Sequence, residues 1–280
     1  MKIGFIGAGK VGFTLGKYFT NNNVNVIGYY SNRLESAKEA AEFTQTKSFN
    51  SLEAIIKECN IIFITTPDGE IIETWNKIKG LSIKNKIICH CSGALSSDIF
   101  SNIESYEAYG YSIHPIYAFS DKYNSHIKLN EAIITVEGDK GKIDVLVNLF
   151  KKLGNKIKVI SKENKSIYHA STVIASNFVV ALAQLGTEYL QKCGFDKEEA
   201  LQALYPLMLN NIKNIGDMGI EMSLTGPVER GDISTIEKHL NSIDECDREL
   251  YKLLSKKLIK IAKNKNKNRS YIKLENMMGE

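Results

Sequence analysis

Arginine is nearly missing from this 280-residue sequence: of 36 basic residues, only Arg33, Arg230, Arg248 and Arg269 are arginines. Any site needing a planar, forked cation has four positions to draw on. Acid is missing over residues 252–273, where eight lysines and one arginine give +9 and leave the rest at −5 within a net charge of +4. The positive balance is a local tail. With Tyr271 as its single aromatic it does not read as a nucleic-acid surface. The five cysteines are an odd count, and no secretory leader is apparent, which argues against a disulfide framework and predicts a reduced, cytoplasmic protein. No apolar run reaches the roughly 18 residues of a membrane span. The best, 173–185, is interrupted by Ser176, Asn177 and Gln184, so no membrane association is expected.

What is present is an alternation. Residues 2–6, 24–30, 61–65 and 86–90 are short apolar runs rich in β-branched side chains, and helical patterns at 11–19, 34–43, 52–57 and 70–78 lie between and after them. That order implies parallel βαβ units and a doubly wound sheet. Runs at 109–113, 132–136 and 156–160 add strands, with a helix at 144–153. Beyond residue 161 the strand signal stops. Helical patterns follow at 165–193, 197–218, 233–240 and 243–263, broken by Gly194, Gly219 and Gly226-Pro227. The prediction is an α/β Rossmann-type dinucleotide-binding domain over 1–161 and an all-α substrate and dimerisation domain over 162–280. The lysine/asparagine alternation from 263 to 268 is expected to fray. The apolar segment 178–185 suits a homodimer interface or an ordinary core equally well.

Gly7-Ala8-Gly9-Lys10-Val11-Gly12 is a GxGxxG between an apolar strand and a helix, the context a dinucleotide fingerprint requires. Gly7 makes the tight turn, Gly9 admits a pyrophosphate to the backbone, and Gly12 lets helix and strand pack closely. The helix start adds free N–H groups for phosphate. An NAD site places an acid at the end of the second strand. Here that position reads Ser31-Asn32-Arg33, with no acid between Gly12 and Glu35, which predicts NADP. Thr66 and Pro67 follow the next sheet strand at its ligand-bearing end, with Asp68 read as a helix cap.

For the chemical half, Ser92 and Gly93 end the strand 86–90, where Ser92 can donate to a substrate or to a nicotinamide amide. His90 alternates away from Cys89 and Cys91, so no metal site is predicted. His114-Pro115 closes a later strand, and His114 is as often structural as functional. Along 168–178, His169 and Ser176 fall on nearly one helical face, flanked by Thr172 and Asn177. That polar face is better explained by a cleft than by a dry core, although a satisfied helix–helix network is the competing reading. His169 is the candidate general acid. In the irregular link 224–232, Asp232 caps the next helix, and Arg230 either braces the loop through Glu229 or grips a substrate carboxylate or a cofactor phosphate.

Together, Gly7–Gly12, Ser31-Asn32-Arg33, Thr66-Pro67-Asp68, His90–Ala94, His114-Pro115, Tyr168–Asn177 and Thr225–Asp232 resemble a group of bacterial Rossmann-like proteins. The C-terminal half of that group was long catalogued as a domain of unknown function. The resemblance covers about residues 1–255 and implies a 6-phosphogluconate dehydrogenase-like arrangement with an NADP cofactor. The most similar functional type is the PanG ketopantoate reductases. It implies NADPH-dependent reduction of a small 2-oxo acid, with 2-dehydropantoate (to pantoate) first among substrates. His169 would then stand where better-known ketopantoate reductases carry a lysine, and Asn177 where they carry their second asparagine. Val173 replaces the first asparagine. His169, Asn177 and Ser92 are thus the expected catalytic set, with His114, Ser176 and Arg230 as candidate substrate contacts in an interdomain cleft. Reduction of a cyclic imine, oxidation of a 3-hydroxy acid, and a non-catalytic NADP sensor are the alternatives.

Overall fold

The computed structural model describes residues 1–279. Its strands are β1 (Ile3–Ile6), β2 (Val26–Tyr30), β3 (Lys47–Phe49), β4 (Ile61–Ile64), β5 (Ile87–His90), β6 (Tyr109–Pro115), β7 (Ile133–Gly138) and β8 (Lys156–Val159). They form one sheet in the order β3-β2-β1-β4-β5-β6-β7-β8. Every pairing is parallel except β6 with β7. Between and after the strands run α1 (Lys10–Asn21), α2 (Leu34–Thr44), α3 (Leu52–Glu58), α4 (Asp68–Ile78) and α5 (Ile143–Lys152). The expected doubly wound Rossmann-type sheet is present.

The central strands β1, β4 and β5 read IGFI, IIFI and IICH, and every residue in them is buried. Continuous apolar runs of this kind belong to strands covered on both faces. Alternate side chains feed separate cores. Phe5, Phe63 and Cys89 join the cluster on one face, and Ile6, Ile64 and Ile88 the other. On the first face Phe5 stacks on Tyr29 and Phe63 at centroid distances of 5.2 and 5.5 Å. The second face is filled by Trp75, set edge-on to Phe100 at 5.4 Å. The parallel register puts the carboxyl ends of β1, β4, β5 and β6 on one edge.

The all-helical continuation comprises α6 (Lys165–Ala175), α7 (Asn177–Lys192), α8 (Lys197–Met218), α9 (Ile220–Ser223), α10 (Pro227–Arg230), α11 (Ile233–Ser242), α12 (Glu245–Lys265) and α13 (Ile272–Met278). The single helix expected over 165–193 is two helices. At Ser176 the backbone leaves the helical region (φ −122°, ψ −71°), and its hydroxyl donates back to the Thr172 carbonyl at 2.6 Å. Such back-bonding bends and weakens a helix. The stretch Lys162–Lys192 contains an 18-residue window of mean hydropathy 1.4, enough for a membrane span by length and composition. A buried core helix of a soluble protein passes the same test; this window is not buried in the single chain and is broken at Ser176.

The compact units are Met1–Val179 and Val180–Glu280, so the division falls later than the expected 161/162 boundary. The physical reason is α6, whose Lys165 and Tyr168 hydrogen-bond to the sheet strands and keep this helix with the first unit. In the second unit Asp196 and Glu199 form a reciprocal capping box at the start of α8. The basic tail does not fray. Tyr271, Leu274 and Met278 join Val228, Ile236, Ile259 and Ala262 in a small core, and the Tyr271 hydroxyl donates to the Glu229 carbonyl at 2.6 Å.

Candidate active site

β1 hands the chain to α1 through Gly7, whose φ of +106° favours glycine and whose Cβ would lie 2.7 Å from the Thr65 carbonyl carbon. Gly12 is pressed against Thr65: a Cβ there would meet the Thr65 Oγ1 at 2.3 Å. That hydroxyl donates to the Gly7 carbonyl at 2.8 Å and ties the turn to the end of β4. Gly9 is different. A Cβ on it would meet nothing within 4 Å, so the backbone there is open to an incoming group.

Gly7 and Gly9 line a cleft of about 270 Å³ with Ala8, Tyr30, Ser31, Asn32, Arg33, Thr66 and Pro67. Of the expected cofactor residues, Lys10, Val11 and Gly12 belong to α1 and do not line this cleft. Ser92 lies beyond it. The fit to a phosphorylated dinucleotide is good on three counts. Gly9 is open, Arg33 is exposed with no ion pair among the described residues, and the Thr66 Oγ1 is buried without a partner. A buried orphan hydroxyl is costly unless a ligand satisfies it. Lys77 on α4 also lines the cleft, paired with Glu73 at 2.7 Å, and nothing in its sequence surroundings sets it apart from other helix lysines.

Beside Pro67 the Asp68 carboxylate is not the helix cap expected of it, since that position falls on Pro67. It instead accepts the Ser92 hydroxyl at 2.6 Å. The same Ser92 oxygen accepts from the Ala94 and Leu95 amides at 3.2 and 3.0 Å. The Ser92 side chain is therefore committed to shaping the turn after β5, and its proton is spent on Asp68. His90 is fully buried: its Nδ1 accepts from the Ser92 amide at 3.2 Å, so Nε2 carries the proton toward the Ser96 carbonyl at 3.1 Å. Burial pushes its pKa down to about 4. Burial raises the Cys91 thiol to about 12, and Cys89 rises for the same reason.

The turn ends under two imidazoles. A Cβ on Gly93 would lie 2.5 Å from His169 Cδ2 and 3.0 Å from both Cε1 and Nε2 of His114. His114 and His169 sit edge-to-face with centroids 6.3 Å apart. His114 Nδ1 is 2.5 Å from the Tyr168 hydroxyl, which also receives the Thr135 Oγ1 at 3.1 Å. Burial is the main cause lowering the His114 pKa to about 4, with Lys165 and His169 adding to it.

Below them lies Lys165, 2% exposed, which in the sequence marks only the start of a helix. Its ammonium donates to Ser112 Oγ at 2.8 Å and to the Ser92 carbonyl at 3.0 Å. Burial lowers its pKa to about 8, against the raising influence of Glu137, Asp68 and Cys91. One of 32 lysines carries no sequence signal of this kind; the available hint was its spacing of three and four residues from Tyr168 and His169. The structure thus gathers His114, Tyr168, His169, Ser92 and Lys165 around Gly93. It does not bring in Ser176 and Asn177, which are exposed and hydrogen-bonded to each other at 3.1 Å. Arg230 lies in the second unit at the end of α10, exposed. The loop it was expected to brace is held by others: Glu229 takes Asn266 and Arg269, and Asp232 caps α11 through Thr235.

A parallel sheet with an open glycine turn, a cationic end to its cleft and imidazoles at the next strand end defines a dinucleotide-dependent oxidoreductase. Comparison with known proteins narrows this. Residues 2–92 match the family described as NADP oxidoreductase, coenzyme F420-dependent, and residues 132–258 match a domain of unknown function, DUF2520. The first match is to an NADP oxidoreductase domain, in agreement with a cleft whose open glycine turn and Arg33 suit NADP. Protein TM1727 from Thermotoga maritima is 28% identical, with a TM-score of 0.75 over 94% of this chain and 99% of that one. Pyrroline carboxylate reductase from Plasmodium falciparum, solved with NADP bound, is 15% identical (TM-score 0.62; 100% and 98% covered). The reductive aminase from Aspergillus terreus, in complex with NADPH and ethyl-5-oxohexanoate, is 13% identical (0.65; 92% and 93%). The latter two share the fold. No curated protein matches.

Proposed function

We propose that the protein is an NADPH-dependent reductase of a small 2-oxo acid, with 2-dehydropantoate the first substrate to try. The observation that carries this reading is the cluster over Gly93. Two imidazoles and a tyrosine converge where the β5 edge meets the nucleotide cleft, joined to it through Pro67, Asp68 and Ser92. NADPH, when bound, supplies the hydride. Gly7, Gly9 and the start of α1 would hold its pyrophosphate, Ser31, Asn32 and Arg33 its 2′-phosphate, and Thr66 a further polar group. His169, half-buried and free to face a ligand, gives its proton to the carbonyl oxygen as that oxygen gains charge. His114, neutral at physiological pH, serves as a hydrogen-bond donor rather than as an acid.

Reduction of an imine is the second reading, favoured by the shared fold with the pyrroline carboxylate reductase and the reductive aminase. Following NADPH oxidation across a panel of 2-oxo acids and cyclic imines decides between them. No turnover above background with any 2-oxo acid would remove the first reading. Tight NADPH binding without turnover of the whole panel would favour a sensor. A homodimer is part of the proposal: α8 buries only Ala200 in the single chain, leaving Leu201, Tyr205, Leu209 and Ile212 between 49% and 63% exposed. Light scattering on the purified protein tests it. Five unpaired cysteines, two of them exposed, support a cytoplasmic setting.

A further inference from the structure

A buried lysine without a carboxylate partner needs an explanation, because taking an ammonium out of water is expensive. Lys165 has no ion pair among the described residues, and its two acceptors, Ser112 Oγ and the Ser92 carbonyl, are neutral. A methionine would fill the same space without that cost. The charge sits one turn from Tyr168 on α6, and Tyr168 grips His114 Nδ1 at 2.5 Å. Thr135 offers its one hydroxyl proton to the Tyr168 oxygen and to the His114 carbonyl alike, both at 3.1 Å. The Tyr168 phenol, kept protonated by burial, is the natural donor to Nδ1, which places the His114 proton on Nε2, the atom facing Gly93.

We propose that Lys165 is a positioning residue: its buried ammonium pins the Ser92–Gly93 turn to β6, so that Gly93 stays under the His114 ring and the His114 N–H stays aimed over it. This rests on the reductase reading only for the use to which that donor is put. A neutral imidazole donates to a substrate oxygen without competing with His169 to release a proton. The surrounding groups are few. Asp68 at the start of α4 and Glu137 on β7 favour the charge on Lys165, as does Cys91 after β5. His90 and His169 flank His114 and, with Lys165, oppose its protonation, while Asp68 favours it. Tyr168 is held with its proton by burial.

The test is histidine NMR on the full-length protein, which needs no substrate. Titrated downward from pH 8, His114 in the wild type stays neutral until about pH 4, where its folded value lies. In Lys165→Met the midpoint rises by about one unit, the size expected of a charge removed at short range. In Lys165→Arg, which keeps the charge, it stays low. Should Lys165→Met not fold, the wild type alone suffices. Raising the pH through about 8 discharges Lys165, and the Ser92, Gly93 and Ser112 amides shift together with that midpoint. His114 titrating alike in wild type and Lys165→Met, or amides unmoved between pH 7 and 9, would overturn the proposal. With an active substrate, wild-type kcat falls along an alkaline limb near the same pH and Lys165→Met does not show that limb, while KM for NADPH is unchanged. If no member of the substrate panel turns over, the NMR titration still decides the role of Lys165, so the two failures are separable.

Discussion

Gly93→Ala tests the candidate site at its tightest point. Carbon atoms in contact settle at about 3.5–4.0 Å. The new methyl would start 2.5 Å from His169 Cδ2 and 3.0 Å from the His114 ring. His114 has nowhere to go, since Tyr168 holds its Nδ1 at 2.5 Å. The displacement therefore falls on His169, which is half-buried and must retreat by roughly 1 Å. Overpacking costs about 1–3 kcal/mol, and a ring able to swing toward solvent puts this variant near the lower end. For a domain of this size that lowers Tm by about 2–4 °C. Catalysis suffers far more: a misplacement of this size costs on the order of 100-fold in kcat/KM. Gly93 does not line the nucleotide cleft, so NADPH affinity stays at the wild-type value. The assay set is thermal unfolding, NADPH fluorescence titration, and turnover with the substrate the panel identifies. Wild-type turnover with unmoved His169 resonances would refute the geometry; parallel loss of NADPH binding and turnover would refute the assignment of Gly93 to the substrate side.

Arg33→Ala should weaken NADPH binding by about 10- to 100-fold, the range of a lost charge-assisted hydrogen bond, while NADH binding is unchanged; equal losses would remove its role in reading the 2′-phosphate. Acid should destabilise the fold before the carboxylates titrate. His90 and His114 have folded values near about 4 against an ordinary 6.5, so below 6.5 the unfolded chain takes up protons that the folded chain refuses. The contribution of these two imidazoles is full above pH 6.5 and is lost as pH falls toward 4, and a urea midpoint that stays flat across that window would contradict it. Truncation after residue 265 removes Tyr271, Leu274 and Met278, each 3% exposed or less, and should cost the second unit about 5 kcal/mol by apolar burial. A truncated protein with unchanged thermal unfolding would mean that the tail is a solvated end after all.

What is legible in the sequence divides according to how far apart the deciding contacts lie. β1, β4 and β5 are legible because burial on both faces demands continuous apolar runs, a local property. β3, with only three residues reading KSF on the sheet edge, has no such run and leaves no strand signal. The glycine turn is legible because Gly7 and Gly12 answer to backbone geometry within six residues of each other, and Arg33 stands out against a background of lysine. The tail misleads because its anchor, the Tyr271 hydroxyl on Glu229, spans 42 residues. Lys165 is hidden twice over, among 32 lysines and by acceptors 73 and 53 residues away. The same distinction explains why cofactor residues are easier to name than chemical ones. Pyrophosphate binding is built from one strand, one turn and one helix start, so its signature is contiguous. The Gly93 cluster is built where the end of β5, β6, β7 and α6 meet, each contributing one to three side chains whose neighbours in sequence are ordinary core. His114 and His169 are visible as residue types but not as a pair. Their pairing depends on Gly93 being too small to keep them apart, and on Tyr168 and Lys165 holding α6 against the strand ends.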